Sequence, residues 1–173
     1  MGVRRQAREA ALRALFMCDA LDCWNVETVD LCFKHFGVST IIADYARNLC
    51  YGAIENKQVL DAKISSASEH WSLSRMTRVD RSILRMAIFE MLYQNDVPLN
   101  VAIDEAIEVS KRYGSESSSV FINGVLDRVA SDIRKGPKAI ESKKTDKNAN
   151  SSAEQEGEDD SEHVPLLASG TTG

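Results

Sequence analysis

The first thirteen residues contain four arginines and a single acidic residue, Glu9. On a helix, Arg4, Arg5 and Arg8 fall within a sector of about 100°, so their guanidinium groups share one side. Cations at a helix N-terminus oppose the helix dipole, and phosphate bound from outside would compensate for this. The pattern fits either a phosphate-binding surface or a solvated face with ion pairs within the helix, and in both cases the arginine side chains are predicted to point away from the core.

A second group of arginines recurs at helical spacing further along the chain, at Arg78, Arg81 and Arg85, with Arg75 just upstream. A solvated face with intrahelical ion pairs and a nucleic-acid contact both fit this pattern. The net charge of −5 excludes a protein that is basic overall. A nucleic-acid hypothesis therefore depends on where the arginines cluster.

Side chains suited to catalysis are few. None of the histidines has a nucleophile or carboxylate at a recognisable motif spacing: His35, His70 and His163. Glycine-rich phosphate loops are absent from the sequence. The carboxylates of Asp104, Glu105 and Glu108 form either an acid–base cluster or, as we favour, a solvated helix face. We predict a protein that is not an enzyme and has no catalytic residues and no cofactor.

The four cysteines lack the paired C-x-x-C spacing of a zinc site. Cys32 and His35 could share a helix face, which leaves a metal site conceivable. Buried free thiols, as in a reducing compartment, are the interpretation we adopt. We therefore predict no metal.

Apolar residues recur at helical spacing in seven segments, and no segment has the pattern of a convincing strand. The helices are predicted at residues 3–21, from Asn25 to near Gly37, from Ser39, at residues 58–70, from Thr77, from Pro98 to Gly114, and at residues 118–133. Thr77 is expected to cap the amide of Asp80. Gly124 lies within the last helix, where glycine costs about 1 kcal/mol relative to alanine, so we expect another backbone to pack closely there.

From residue 134 onward the composition changes to charged and small polar residues, and six of the nine residues at 154–162 are acidic. Such a segment buries too little apolar surface to offset its ordering entropy. We predict a folded domain at residues 1–133 and a disordered acidic tail at 134–173. The apolar island at 164–168 is either a contact motif or incidental.

No apolar run approaches the roughly 20 residues that span a membrane. The N-terminus has neither the apolar core of a signal peptide nor a myristoylation signal. We expect a cytoplasmic protein that does not contact membranes.

Four motifs occur together in a recognisable order. They are residues 4–16 (RRQAREAALRALF), 71–75 (WSLSR) with 81–91 (RSILRMAIFEM), 101–113 (VAIDEAIEVSKRY) after Pro98, and 121–127 (FINGVLD). Each motif alone is weak, but their order and spacing resemble those of the NusB family of transcription antitermination factors. The resemblance runs from about residue 4 to residue 133.

The resemblance implies an all-α, seven-helix NusB-like fold of two packed three-helix subdomains. It also implies binding to boxA-like single-stranded RNA in ribosomal RNA leader transcripts, beside a NusE-like small-subunit ribosomal protein. Such a complex would act on the RNA polymerase elongation complex. These are expectations for this chain.

The expected site residues combine positions that match the family, namely Arg4, Arg5, Arg8, Phe16 and Asp80, with the second arginine group and one aromatic residue chosen from this sequence alone. Those for RNA are Arg4, Arg5, Arg8, Arg78, Arg81 and Phe121; those for the protein partner are Phe16 and Asp80. Phe121 and Tyr113 could each stack on a base, although core packing is an alternative for both. Ser117 and Val120 replace an acid and a lysine found near RNA in other members, so the RNA preference of this chain is expected to differ.

Two other functions remain open. The same fold forms the RNA-binding domain of ribosomal RNA cytosine methyltransferases, but no methyl-donor loop or catalytic cysteine motif follows residue 133. A helical scaffold that binds only protein is the other alternative, and RNA-binding measurements would distinguish it.

Overall fold

A computed structural model describes residues 2–69 and 71–136 of the chain. Within these residues the backbone forms seven α-helices and one 3-10 turn, without any strand. The helices are α1 (Val3–Leu21), α2 (Val26–His35), α3 (Thr40–Glu55), α4 (Lys57–Ala67), α5 (Arg78–Tyr93), α6 (Leu99–Tyr113) and α7 (Ser118–Lys135). The 3-10 turn, Leu73–Arg75, lies between α4 and α5. The predicted all-α class with seven helices is confirmed.

Side-chain caps fix where several helices begin. The Asn25 side chain accepts a hydrogen bond from the Thr28 amide, and Thr77 Oγ1 accepts one from the Asp80 amide at 3.0 Å. Both satisfy amide groups that have no partner within the helix. After α2, Gly37 adopts a φ of +60°, which glycine tolerates without strain.

The helices pack as two groups around a continuous core. α1, α2 and α3 pack together, as do α5, α6 and α7, and α4 joins the second group through α5 and α7. α1 also packs on α5 and α6, which joins the two groups. The largest fully buried side chains include Leu15, Leu49, Ile83 and Leu126. The expected pair of three-helix subdomains is confirmed, with α4 as an addition.

Two helix ends differ from the sequence prediction. α4 ends at Ala67, three residues before the predicted end, because the chain turns there: the Ser68 hydroxyl donates to the Ile64 carbonyl. α7 continues through Lys135, and its last turn carries Arg134 and Lys135, which favour the negative end of the helix dipole. The predicted tail beyond Gly136 lies outside the described residues. None of the described helices has the length and apolar character needed to cross a membrane.

The expected close packing at Gly124 is wrong. A Cβ atom built on Gly124 meets nothing within 4 Å, and the residue faces solvent. The glycine that is packed closely is Gly52 on α3, where a Cβ would lie 1.9 Å from Cζ of Phe89 on α5. Apolar spacing alone did not distinguish the two, because both glycines interrupt a helical pattern.

Candidate nucleic-acid interface

The N-terminal arginines are paired with carboxylates from elsewhere in the chain. Arg4 Nη2 lies 2.5 Å from Oδ2 of Asp96, and both side chains are about half exposed. Arg5 donates through Nε and Nη2 to the two carboxylate oxygens of Glu105, at 2.8 and 2.7 Å. These hydrogen bonds hold the pKa of Glu105 below its usual value. The carboxylates therefore compensate for the cations at the start of α1 without any phosphate.

Arg8 is buried, which contradicts the prediction that all three side chains point away from the core. Its side chain is 3% exposed, and Nη2 donates to Oε1 of Glu90 at 2.7 Å. Glu90 also accepts a hydrogen bond from the Tyr45 hydroxyl. Burial, followed by the contact with Glu90, raises the pKa of Tyr45. Arg8 thus contributes to the core packing of α1, α3 and α5 rather than to a free cationic surface.

The second arginine group also centres on a carboxylate. Arg81 Nη2 lies 2.5 Å and Arg85 Nη1 3.0 Å from the oxygens of Asp19 on α1. Burial alone would raise the pKa of Asp19, but the hydrogen bonds from both arginines outweigh it and lower the pKa. Arg78 is 3.5 Å from the same carboxylate and remains 54% exposed. Of the predicted pair, Arg78 is open to ligands and Arg81 is mostly buried.

A cleft lies where the 3-10 turn, the start of α5 and the start of α7 meet, with a volume of about 510 Å³. We call it the aromatic cleft. Its lining residues are Trp71, Arg75, Met76, Thr77, Asp80, Ser115, Ser117, Ser118, Val120 and Phe121. Phe121 therefore lies where a base could reach it.

Trp71 faces Phe121 across this cleft, with ring centroids 6.4 Å apart and an interplanar angle of 62°. Trp71 is 54% exposed, which is unusual for so large an apolar residue. Sequence reasoning did not include Trp71 among the site residues. The sequence signal that could have identified Trp71 as a site residue is a tryptophan in a short polar segment between two helices.

Asp80 lines the aromatic cleft although it is only 6% exposed. Its Oδ1 atom is buried and accepts no hydrogen bond from the described residues. The expected cap is present, since the Asp80 amide donates to Thr77. The side-chain Oδ1 atom, by contrast, is buried without a donor among the described residues.

A second depression, which we call the apolar groove, runs along α1 and also has a volume of about 510 Å³. It is lined by Leu12, Arg13, Phe16, Met17, Ala20, Leu21, Phe36, Val79 and Tyr113. Phe16 is 40% exposed within it. Phe16 and Asp80 thus lie in separate depressions that meet along α5, where Val79 faces the groove and Asp80 the cleft.

Tyr113 belongs to the groove rather than the cleft. Its hydroxyl donates to Oε2 of Glu9 at 3.0 Å, and its ring packs against the core. Phe121 is therefore the one of the two stacking candidates that reaches the aromatic cleft. Both rings also pack partly against the core, so Phe121 combines core packing with a position in the aromatic cleft.

Two of the three carboxylates on α6 are engaged in ion pairs. Glu105 binds Arg5 on α1 and is only 19% exposed, so it departs from the expected solvated face. Glu108 accepts from Lys111 at 2.7 Å, as expected for a helix surface. The cysteines are free thiols, and burial raises the pKa of Cys18 to about 11. Over residues 2–69 and 71–136, no cluster of histidine, cysteine and acidic side chains could hold a metal ion.

Comparison with known proteins agrees with this architecture. The profile of the NusB family matches residues 5–131. The transcription antitermination protein NusB of Heliobacterium modesticaldum is 44% identical over 131 residues, 76% of this chain and 64% of that protein. That of Geobacter sulfurreducens is 42% identical over 134 residues, 77% of this chain and 97% of that protein. The chain thus spans just under two thirds of the first relative and nearly all of the second.

Solved structures share the fold. NusB of T. maritima is 38% identical, with a TM-score of 0.68 over 75% of this chain and 91% of that chain. A chain in the crystal structure of antitermination factors NusB and NusE in complex with double-stranded RNA is 24% identical, with a TM-score of 0.66 over 75% of this chain and 96% of that chain. The proteins of this family are antitermination factors rather than enzymes, as predicted. With its family profile matched over residues 5–131, this chain belongs to the NusB family.

Proposed function

We propose that this protein is a transcription antitermination factor that binds RNA together with a NusE-like ribosomal protein in the cytoplasm. The observation that carries the proposal is the family match, which extends over almost the whole described fold. The related fold crystallised with NusE and double-stranded RNA supports both kinds of partner.

The RNA surface in this proposal combines exposed guanidinium groups with the aromatic cleft. Arg4, Arg5 and Arg78 are at least partly open to solvent and would contact phosphates. Arg8 and Arg81, which lie mostly below the surface, would position their neighbours through Glu90 and Asp19. Phosphate groups of the RNA must compete with Asp96 and Glu105 for Arg4 and Arg5. We therefore expect each exchange of a carboxylate for a phosphate to add only modestly to the free energy of RNA binding.

Single-stranded RNA of the boxA type is the ligand we propose. Unpaired bases bind proteins by stacking on aromatic side chains. The bases of helical RNA are stacked on one another, so their faces are not available to a protein surface. Phe121 and its neighbour Trp71 would supply such planes beside the exposed Arg75. The polar loop before α7 leaves the cleft open on one side, so a strand can pass across it.

The protein partner in this proposal docks on the apolar groove. Phe16 and the other apolar side chains there form a continuous hydrophobic surface of the kind that marks protein interfaces. Asp80 would lie beside the partner at the point where the groove meets the aromatic cleft. The resulting complex would act on the RNA polymerase elongation complex during ribosomal RNA synthesis.

Equilibrium binding of the full chain to a labelled boxA-like oligoribonucleotide tests this function. A scrambled oligoribonucleotide is the matched control, and each is titrated with and without the NusE-like protein. We expect tighter binding of the boxA-like RNA and a further gain when the partner is present. If the chain binds the partner but neither RNA, a protein-only scaffold would replace the proposed function.

A further inference from the structure

We propose that Asp96 and Glu105 restrain RNA binding by occupying Arg4 and Arg5 in the free protein. The two carboxylates stand where phosphate groups would bind, so they set the affinity for RNA together with the arginines. The proposal rests on the RNA-binding function above and adds a restraint on that function from residues outside α1. Removing either carboxylate charge should therefore tighten the RNA complex.

The two carboxylates come from distant parts of the chain. Asp96 lies in the connection between α5 and α6, and it is 92 residues from Arg4 in the sequence. Glu105 lies on α6, 100 residues from Arg5. Ion pairs between neighbouring turns of α1 would neutralise a basic helix face locally. Here the tertiary fold brings the counter-charges to Arg4 and Arg5.

Glu105 binds Arg5 in the geometry that a phosphate group would use. Two N–H groups of the guanidinium, on Nε and Nη2, donate to the two oxygens of one carboxylate at 2.8 and 2.7 Å. Arginine recognises carboxylates and phosphates through the same pair of parallel hydrogen bonds. A phosphate that binds this edge of Arg5 must therefore displace Glu105.

The charges around the start of α1 cancel one another. Four cations are each paired with a carboxylate: Arg4 with Asp96, Arg5 with Glu105, Arg8 with Glu90, and Lys111 with Glu108. The chain as a whole carries a net charge of −5. Attraction of RNA from a distance requires an excess of positive charge, which these eight residues do not provide. The sequence-independent part of RNA binding is therefore reduced.

Both carboxylates line the cavity in which a phosphate would meet the two arginines. This cavity has a volume of about 360 Å³, and Arg4, Arg5, Asp96 and Glu105 all lie in its wall. The hydrogen bond from Arg4 lowers the pKa of Asp96, as Arg5 does for Glu105, so both groups are ionised at neutral pH. A phosphate in the cavity is therefore repelled by two negative charges.

Glu90 and Glu108 do not have this role. The pair of Glu90 with Arg8 is almost completely excluded from solvent, so RNA does not reach it. Glu108 lies 3.9 Å from Arg5 but is bound more closely by Lys111, at 2.7 Å. The restraint is therefore assigned to Asp96 and Glu105, whose partners are arginines open to solvent.

The double variant Asp96→Asn/Glu105→Gln tests the restraint in the full chain. Each amide keeps the size of the side chain and one oxygen acceptor but removes the charge. Fluorescence anisotropy of labelled boxA-like and scrambled oligoribonucleotides measures binding. We expect both RNAs to bind about 2- to 30-fold tighter, which is the range for two exposed ion pairs, because phosphate contacts do not read sequence. The gain should shrink at high salt, which screens such pairs.

A second double variant, Asp104→Asn/Asp132→Asn, is the matched control. It removes the same charge from two exposed side chains that form no ion pair within residues 2–69 and 71–136. We expect it to bind RNA as the unmodified chain does. Asp96→Asn alone is also measured, because Glu105 lies 3.4 Å from the buried Arg8 and its replacement could disturb the fold. This single variant should bind RNA more tightly than the unmodified chain, by a smaller factor than the double variant.

The outcomes separate the restraint from the function beneath it. Unchanged RNA affinity in the folded variants would overturn the restraint while RNA binding stands. Weaker binding would also overturn it and would show that the carboxylates hold the arginines in place for phosphate. An equal gain in the control variant would assign the effect to net charge rather than to these two pairs. Failure of every chain to bind either RNA would overturn the proposed RNA function and the restraint together.

Discussion

Arg8 and Glu90 form a buried, doubly hydrogen-bonded ion pair that joins α1 to α5. Nη2 and Nε of Arg8 reach the two carboxylate oxygens at 2.7 and 3.0 Å, and each side chain is almost completely excluded from solvent. Removing one member of such a pair leaves an uncompensated charge in the core. The pair therefore makes one N-terminal arginine a structural residue, whereas Arg4 remains at the surface.

Arg8→Ala is expected to destabilise the fold by about 3–5 kcal/mol, because Glu90 would lose its counter-charge. Urea denaturation of the full chain, followed by circular dichroism, measures this. Arg4→Ala is the matched control and should cost less than about 1 kcal/mol, since its pair with Asp96 is exposed and screened by water. Equal stability of the two variants would contradict the buried pair.

Gly52→Ala is expected to destabilise the protein by about 1–3 kcal/mol, because the added methyl group overlaps the Phe89 ring. The same substitution at solvent-exposed Gly124 should stabilise the fold by up to about 1 kcal/mol, since alanine favours a helix interior. Thermal and urea unfolding of both variants provide the comparison. If Gly124→Ala proved the more harmful change, the orientation of α7 would be wrong.

Acid should destabilise the fold partly through Asp19. Its folded-state pKa is lowered by Arg81 and Arg85, so its contribution to stability is present above the unfolded value of about 4. That contribution is lost as the pH falls through the lowered folded pKa. Asp19→Asn should reduce stability at neutral pH and flatten its decline below about pH 4. A decline as steep as that of the unmodified chain would show that other carboxylates are responsible.

Phe16→Ala should weaken binding of the NusE-like partner by about fivefold or more, because truncating an aromatic hot-spot residue at the centre of an interface costs over about 1 kcal/mol. Calorimetric titration with the purified partner measures the change. Leu31→Ala, at another exposed apolar residue outside the groove, should have no effect. Unchanged affinity for the Phe16 variant would place the partner elsewhere.

The helices were largely predictable because their signals are local. Asn25, Ser39 and Thr77 cap the amides that follow them, and Pro98 precedes α6 as expected. Apolar spacing then assigned the core faces. Family motifs added the grouping of helices, which periodicity does not specify.

The surroundings of the site residues were not predictable, because they depend on distant parts of the chain. Arg8 meets Glu90 only when α1 packs on α5, so its spacing alone resembles that of a surface residue. Trp71 lies in a short polar segment, and its exposure depends on how α7 approaches the 3-10 turn. Non-local contacts thus decide which charged and aromatic residues remain available to a ligand.

The salt dependence of RNA binding tests the central proposal most directly. The double variant Arg4→Gln/Arg5→Gln keeps Arg8 and the core intact, and Arg47→Gln, an exposed arginine on α3, serves as the control. If both N-terminal arginines contact phosphates, the slope of log affinity against log salt should fall by about 1.4 in the double variant. Affinity should drop similarly for boxA-like and scrambled RNA, and the control should behave like the unmodified chain. Unchanged affinity and slope in the double variant would contradict an RNA site at the N-terminus of α1.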